Sequence, residues 1–229
     1  DLALRSSEKF IKLGKKSLEV MPYQMIIASS IAIESYTGIN KTLKGRYIVK
    51  NLKPFFDNII YYTDYLDLKI YKANTLKELG LLYYINEKDD ECLKLYIEAS
   101  KIFKETLQYE QYALTCYEIG DRFYYTDRKK SSISYYELAL EYYLKISDIE
   151  KILEIYSQLS TASEEAGDFK KSVKYYESYS QMVLSLNDTV KYCESLIDLA
   201  HMYNSLGDEE KTINTSEKIL QLALKDRSY

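Results

Sequence analysis

Apolar residues along this chain recur at the spacing of one helix face instead of alternating. Ile133, Tyr136, Leu140 and Tyr143 stand three and four residues apart, which places them on a single stripe of an α-helix. The same spacing predicts helices over about Asp90–Thr106, Lys129–Ile146, Phe169–Leu186 and Glu209–Lys225, each with one buried stripe and one wet face. Polar clusters separate each of these from a preceding helix: Asn86-Glu87-Lys88-Asp89, Thr126-Asp127-Arg128, Gly167-Asp168 and Gly207-Asp208. Asp and Asn there are expected to cap the following helix, and Gly to take the left-handed conformation that ends the one before.

The helices repeat. Leu79-Gly80-x-x-Tyr83 aligns with Ile119-Gly120-x-x-Phe123, Leu159-Ser160-x-x-Ser163 and Leu199-Ala200-x-x-Tyr203 at steps of 40 residues without a gap. The register continues through Cys92, Ser132, Ser172 and Thr212, then through Tyr96, Tyr136, Tyr176 and Ser216. Small residues at 80, 120, 160 and 200 let the paired helix approach closely. Aromatic rings beside them fill the remaining space, burying up to about 150–250 Å² each.

Residues 1–69 follow this register only loosely. Ile39, Leu43 and Leu52 fit it, whereas Gly45, Tyr47 and Pro54 disturb it. Leu2–Val20 reads as an amphipathic helix through Leu4, Phe10, Ile11 and Leu18, and Pro22 suits the first turn of the next helix. Pro54 should start or kink another. The expectation is one solitary helix and one irregular hairpin, acting as a terminal or joining cap.

Leu79, Gly80, Tyr83, Cys92, Tyr96 and Ala99 occupy the positions of a Leu-Gly, Tyr, turn, Ala, aromatic, Ala pattern, and in this the chain resembles the tetratricopeptide repeat family. It departs from the family in its longer period, where about 34 is usual. It also has Lys104, Leu144, Leu184 and Leu224 where a closing Pro is common, and Tyr179 and Ile219 in place of the last Ala. Longer helices, similar to those of bacterial peptide receptors and kinesin light chains, are implied. The resemblance implies an all-α fold, a right-handed superhelix (α-solenoid) of helix-turn-helix repeats, with four units at about 70–109, 110–149, 150–189 and 190–229 continuing from residues 1–69.

By the same resemblance, first helices line a concave groove. Carrying over repeat positions gives Asn74, Lys77, Leu81 and Tyr84, then Tyr117, Asp121, Tyr124 and Tyr125, then Ser157, Thr161, Glu164 and Glu165, then Ile197, His201 and Asn204. Chaperone-binding members grip a C-terminal carboxylate with clustered Lys, Asn and Arg. Here only Lys77 stands at a matching place, followed by Tyr117, Ser157 and Ile197. A neutral to basic, partly apolar peptide or protein suits this set better.

Composition narrows the reading further. Only 7 Gly and 2 Pro occur in 229 residues, so long stretches carry nothing to break a helix. The net charge is −4 and the 31 Lys and Arg are spread along the chain, which gives no electrostatic footprint for nucleic acid. The longest apolar stretch, Met25–Ile33, is interrupted by Ser29 and Ser30 and falls short of the roughly 20 residues that span a bilayer. Cys92, Cys116 and Cys193 are odd in number and widely spaced, which fits a reduced, cytoplasmic setting. The start at Asp1 without Met and the absence of a polar capping helix after Lys211–Leu224 lead us to expect a fragment of a longer protein.

Tyrosine is abundant, 26 of 229 residues, with doublets at 61–62, 83–84, 124–125, 135–136, 142–143 and 175–176. Tyr favours binding hot spots. Helical rotation equally predicts that one member of each doublet packs while the other covers the flank. His201, the one histidine, has Glu194 and Asp198 on its own helix, too few softer ligands for a metal site. No nucleophile arrangement, phosphate loop or paired acid and base stands out, and Glu164-Glu165 reads as a wet helix face, so neither an enzyme nor a cofactor is expected. The expected function is a peptide- or protein-binding scaffold, the sensor or regulatory module of a larger, bacterial signalling-type protein. Self-association as a structural adaptor or homodimer, and a vesicle-fusion-adaptor-like helical protein, are the competing expectations.

Overall fold

The computed structural model describes Ile26, Ile27, Ser29 and residues 46–226. Among the described residues the elements are all helical: α1 (Arg46–Tyr65), α2 (Lys69–Ile85), α3 (Asp89–Glu105), α4 (Tyr109–Tyr125), α5 (Lys129–Ile146), α6 (Ile149–Glu165), α7 (Phe169–Ser185), α8 (Thr189–Ser205) and α9 (Glu209–Asp226). The bounds of α3, α5, α7 and α9 lie within one residue of those drawn from apolar spacing. The expected helix over Leu2–Val20 and the turn at Pro22 lie outside the described residues. Of the two expectations for Pro54, a helix start or a kink, the start is not met, because Pro54 sits inside α1. An interior Pro costs about 3 kcal/mol. The stripe Leu52, Phe55, Phe56, Ile59 and Tyr62, buried against Leu79 and Leu82 of α2, gains more than that at roughly 1.5–3 kcal/mol per buried side chain.

One backbone device joins every consecutive pair of helices. Asp67, Glu87, Leu107, Asp127, Ser147 and Asn187 have positive φ between 53° and 59°, and Gly167 and Gly207 complete the series. The left-handed residue therefore recurs every twentieth position, within hairpins and between them alike. At 86–88 the N–H of Glu87 bonds to the carbonyl of Tyr84 and that of Lys88 to the carbonyl of Tyr83, the two bonds of a Schellman motif. The carbonyl of Lys88 then accepts from Cys92 N–H, the first bond of the next helix. A single residue thus closes one helix and opens the next, which is why the connections are so short.

Helix starts differ along the chain. Asp148, Asp168, Asp188 and Asp208 accept from the backbone N–H of Lys151, Lys171, Lys191 and Lys211 at 3.0–3.1 Å. Earlier starts lack this, since Lys88 and Arg128 stand at the cap position and make no side-chain cap bond. Asp127, expected to cap, instead takes the left-handed position, and the Asn86 amide donates back to the carbonyl of Leu82.

By contact the chain divides into two compact units, Asp1–Thr115 and Cys116–Tyr229. In the first, the α1–α2 cluster is followed by buried Ala73, Leu76, Cys92, Leu93, Tyr96 and Phe103. In the second, buried Ile119, Tyr136, Leu140, Ile155 and Leu159 lead on to a cluster of Val173, Leu199 and Tyr203 and to another of Val183, Tyr192 and Leu196.

Small residues meet large ones where the 40-residue register places them. A Cβ on Gly80 would lie 2.6 Å from the Tyr96 ring, and one on Gly120 would lie 2.6 Å from the Tyr136 ring. In the third hairpin the close approach is polar: the Ser160 hydroxyl lies 3.0 Å from that of Ser172. Three tyrosine doublets divide as helical rotation requires, with Tyr62, Tyr136 and Tyr143 buried and Tyr61, Tyr135 and Tyr142 at the flank. The doublet at 175–176 does not, because both members are half-buried and both donate to carboxylates.

Candidate functional site

In the first unit, Asn74 and Tyr84 are exposed on α2, and Lys77 is half-buried with its ammonium 6.0 Å from the centre of the Tyr96 ring. Asn74 borders an open cleft lined by Leu68, Ile70, Tyr71 and Thr106. These side chains are presented by α2, whose opposite face buries Ala73, Leu76 and Leu79.

In the second unit, α4, α6 and α8 carry the remaining candidates. Tyr125 is 74% exposed; Thr161, Glu164, His201 and Asn204 are also exposed, whereas Tyr117, Asp121 and Tyr124 are half-buried. Geometry explains the difference. The Tyr117 hydroxyl donates to Glu154 at 2.7 Å, and the same carboxylate binds the Lys151 ammonium at 2.7 Å. That ammonium lies 5.5 Å from the centre of the Tyr117 ring. Tyr124 donates to Glu165, which pairs with Lys129 at 2.6 Å, and Lys129 sits 3.6 Å over the Tyr124 ring. Two groove candidates are therefore held by ties from α4 to α6, each made of a phenol, a carboxylate and an ammonium.

The tie recurs outside the candidate set. Tyr175 donates to Glu137, which pairs with Lys171 at 2.7 Å, and that ammonium lies 5.9 Å from the Tyr175 ring. Tyr203 donates to Glu177 at 2.6 Å, with Lys211 at 3.5 Å from the carboxylate and 4.9 Å from the ring. Three of the four lysines, Lys151, Lys171 and Lys211, are the residues whose N–H groups are capped by aspartate three positions earlier. The sequence spacing Asp-x-x-Lys at 148, 168, 188 and 208 carries this signal, at a 20-residue period that is half the repeat.

Electrostatics follow from these contacts. Burial, aided by the bond to Glu154, holds the Tyr117 phenol above its ordinary range, and donation to Glu165 pushes Tyr124 up to about 12. Burial works to raise Glu154, but the bonds from Lys151 and Tyr117 outweigh it and hold the carboxyl below its usual value. Lys129, then Tyr124, does the same for Glu165. Asp121 behaves in the opposite way: burial raises it, against the lowering bond from the Tyr136 hydroxyl at 2.6 Å. Tyr117 and Tyr136 also lean on one another, with ring centres 5.6 Å apart. Such contacts fix ring positions and leave bound protons in place at neutral pH, so they suit recognition better than proton transfer. Among the described residues no group of three or more His, Cys, Asp or Glu could hold a metal ion, and no described helix is long and apolar enough to cross a membrane.

These elements define a class: an all-α solenoid of helical hairpins, with the fold of tetratricopeptide-repeat proteins. The protein is similar to BtubC from P. vanneervenii, at 14% identity and TM-score 0.59 over 99% of this chain and 91% of that one. It is also similar to a kinesin light chain with nearly identical tetratricopeptide-like repeats from Podosopora anserina, at 15% identity and TM-score 0.60 over 86% and 97%. A signal transduction ATPase with numerous domains and a tetratricopeptide repeat sensor, from Pyrococcus horikoshii, matches at 16% identity and TM-score 0.60, over 95% of this chain and 33% of that one. No family model and no curated protein matches the sequence.

Proposed function

We propose that the chain is a protein- or peptide-binding scaffold and that its ligand lies along the first helices α4, α6 and α8 of the second unit. One observation carries this reading: Thr161 with His201 and Glu164 with Asn204 are exposed in repeat register, and Tyr125 is exposed on α4 beside Tyr117 and Tyr124, whose rings are already fixed by ties. Rings ordered before binding cost little entropy on binding. The acidic Glu164 and the aromatic Tyr125 favour a neutral to basic, partly apolar peptide. The sensor arrangement named for the Pyrococcus horikoshii protein supports a regulatory role inside a larger protein.

Tyr117 and Tyr124 make poor test sites, since removing them would also cut ties between helices. Tyr125→Ala and Glu164→Gln leave those ties intact. Selection from a random peptide display library should enrich basic-aromatic peptides whose affinity falls at least about tenfold in the double variant. Failure to enrich any peptide, or affinity indifferent to both substitutions, would refute the assignment.

A second reading, self-association through α9, has its own support. Ile213 is 57% exposed, whereas Leu93, Ile133 and Val173, its counterparts in register, are 3–6% exposed. Sedimentation over a wide concentration range decides it: a monomer throughout refutes it, and Ile213→Glu should abolish any dimer.

A further inference from the structure

The last hairpin lacks an aromatic side chain that the two hairpins before it have. Tyr135 and Tyr175 stand one repeat apart, and the next position in register is Thr215. Tyr175 donates to Glu137 beside Lys171. The counterparts one repeat on, Glu177 and Lys211, are both present and paired at 3.5 Å. The carboxylate and ammonium have been kept, Thr215 stands where α7 carries its phenol, and the carboxylate accepts from Tyr203 of α8 instead.

A cleft of about 390 Å³ lies at this place between α7, α8 and α9, lined by Glu177, Tyr192, Leu196, Leu199, Thr215 and Lys218. Its floor is apolar, since Tyr192, Leu196 and Leu199 are all less than 7% exposed. Its rim is polar: Glu177 is half-buried, and Lys218 places its ammonium 5.2 Å from the Tyr192 ring centre. Tyr203 and Lys211 both reach Glu177 through one oxygen, Oε1, leaving Oε2 as the acceptor for one more donor. An apolar floor with a carboxylate acceptor at its edge matches a phenol: the ring supplies buried area and the hydroxyl supplies the donor.

We propose that this cleft binds the side chain of a tyrosine in a partner peptide, which takes the place that Tyr175 fills in the preceding hairpin. The site is separate from the first-helix face of α4, α6 and α8, because it lies on the opposite side of α8 from Ile197, His201 and Asn204, which are exposed. Its test is therefore independent of the peptide selection described for that face.

The probe is N-acetyltyrosinamide, titrated into the whole protein and followed by ¹H–¹⁵N chemical shifts. Saturable shifts at Thr215, Leu199 and Lys218 are expected, with the phenylalanine analogue at least about fivefold weaker because it brings no donor to Glu177. Thr215→Tyr supplies the ring from within, so it should raise the melting temperature and remove probe binding. Should Thr215→Tyr fail to fold, Glu177→Gln decides instead, and it should weaken the preference for tyrosine over phenylalanine. The proposal is overturned if the probe causes no saturable shifts, if the two amides bind alike, if a folded Thr215→Tyr binds as the parent does, or if free p-cresol binds while the amide does not.

Discussion

Gly120→Ala tests whether close approach of paired helices, more than helix propensity, governs this register. In an exposed helix the change would stabilise by about 0.5–1 kcal/mol. Here the added Cβ would come 2.6 Å from Cδ1 and Cε1 of Tyr136 and 3.2 Å from its Cγ. The ring cannot swing clear cheaply: it is fully buried, its hydroxyl is held by Asp121 at 2.6 Å, and the Tyr117 ring leans on it. Overpacking of this kind costs about 1–3 kcal/mol, and loss of a hydrogen bond to a charged group adds about 1.5–3. Set against the gain in helix propensity, the net expectation is destabilisation by about 1.5–5.5 kcal/mol. Urea unfolding followed by circular dichroism gives the value, and a double-mutant cycle with Tyr136→Ala isolates its cause. Without the Tyr136 ring the same glycine substitution should become stabilising. If Gly120→Ala is as stable as the parent, or if its sign is unchanged in the Tyr136→Ala background, the packing argument fails.

Leu107→Gly should stabilise by up to about 1 kcal/mol, because an L-residue pays about that to adopt the left-handed conformation Leu107 holds at φ 56°; a melting temperature below the parent's would contradict this. Asp188→Ala removes the cap on Lys191 N–H and should cost about 0.5–2 kcal/mol, with hydrogen exchange of the first turn of α8 rising in parallel. Glu137, Glu154 and Glu165 are all held below the usual carboxylate value in the folded chain, burial of the first two being outweighed by their Lys and Tyr bonds. The unfolded chain thus binds their protons at higher pH, so their contribution is complete above about 4.3 and is lost as pH falls through the depressed folded values. Asp121, raised by burial, works in the opposite direction, its ionisation costing stability as pH rises. Urea midpoints between pH 3 and 6 should climb with pH, and Glu154→Gln should flatten the climb; a parallel profile would show that the tie contributes nothing.

The contacts that could be read in advance join residues at fixed places of one hairpin. Gly80 against Tyr96 and Gly120 against Tyr136 fall in this group, because small and large residues recur at a constant offset. The ties between hairpins could not be read this way. Tyr117 to Glu154 and Tyr124 to Glu165 span unequal separations, and nothing local marks either phenol as already engaged. Pro54 does not start a helix for a different reason: its local cost is real, but the burial of Phe55, Phe56 and Ile59 beside it is larger. The caps at Asp148 and Asp188 follow a 20-residue spacing, which a 40-residue step samples only at every other helix start.

The uniform joints also bear on how such a chain can grow or shrink. Since the left-handed residue recurs every twentieth position, the backbone does not distinguish a link inside a hairpin from one between hairpins; only side chains assign a helix its partner. Removing 40 residues between equivalent joints should preserve each helix's role. Removing 20 would leave every joint sound yet set Gly120-type faces against the wrong neighbours, an error of phase that the loops have no means to correct.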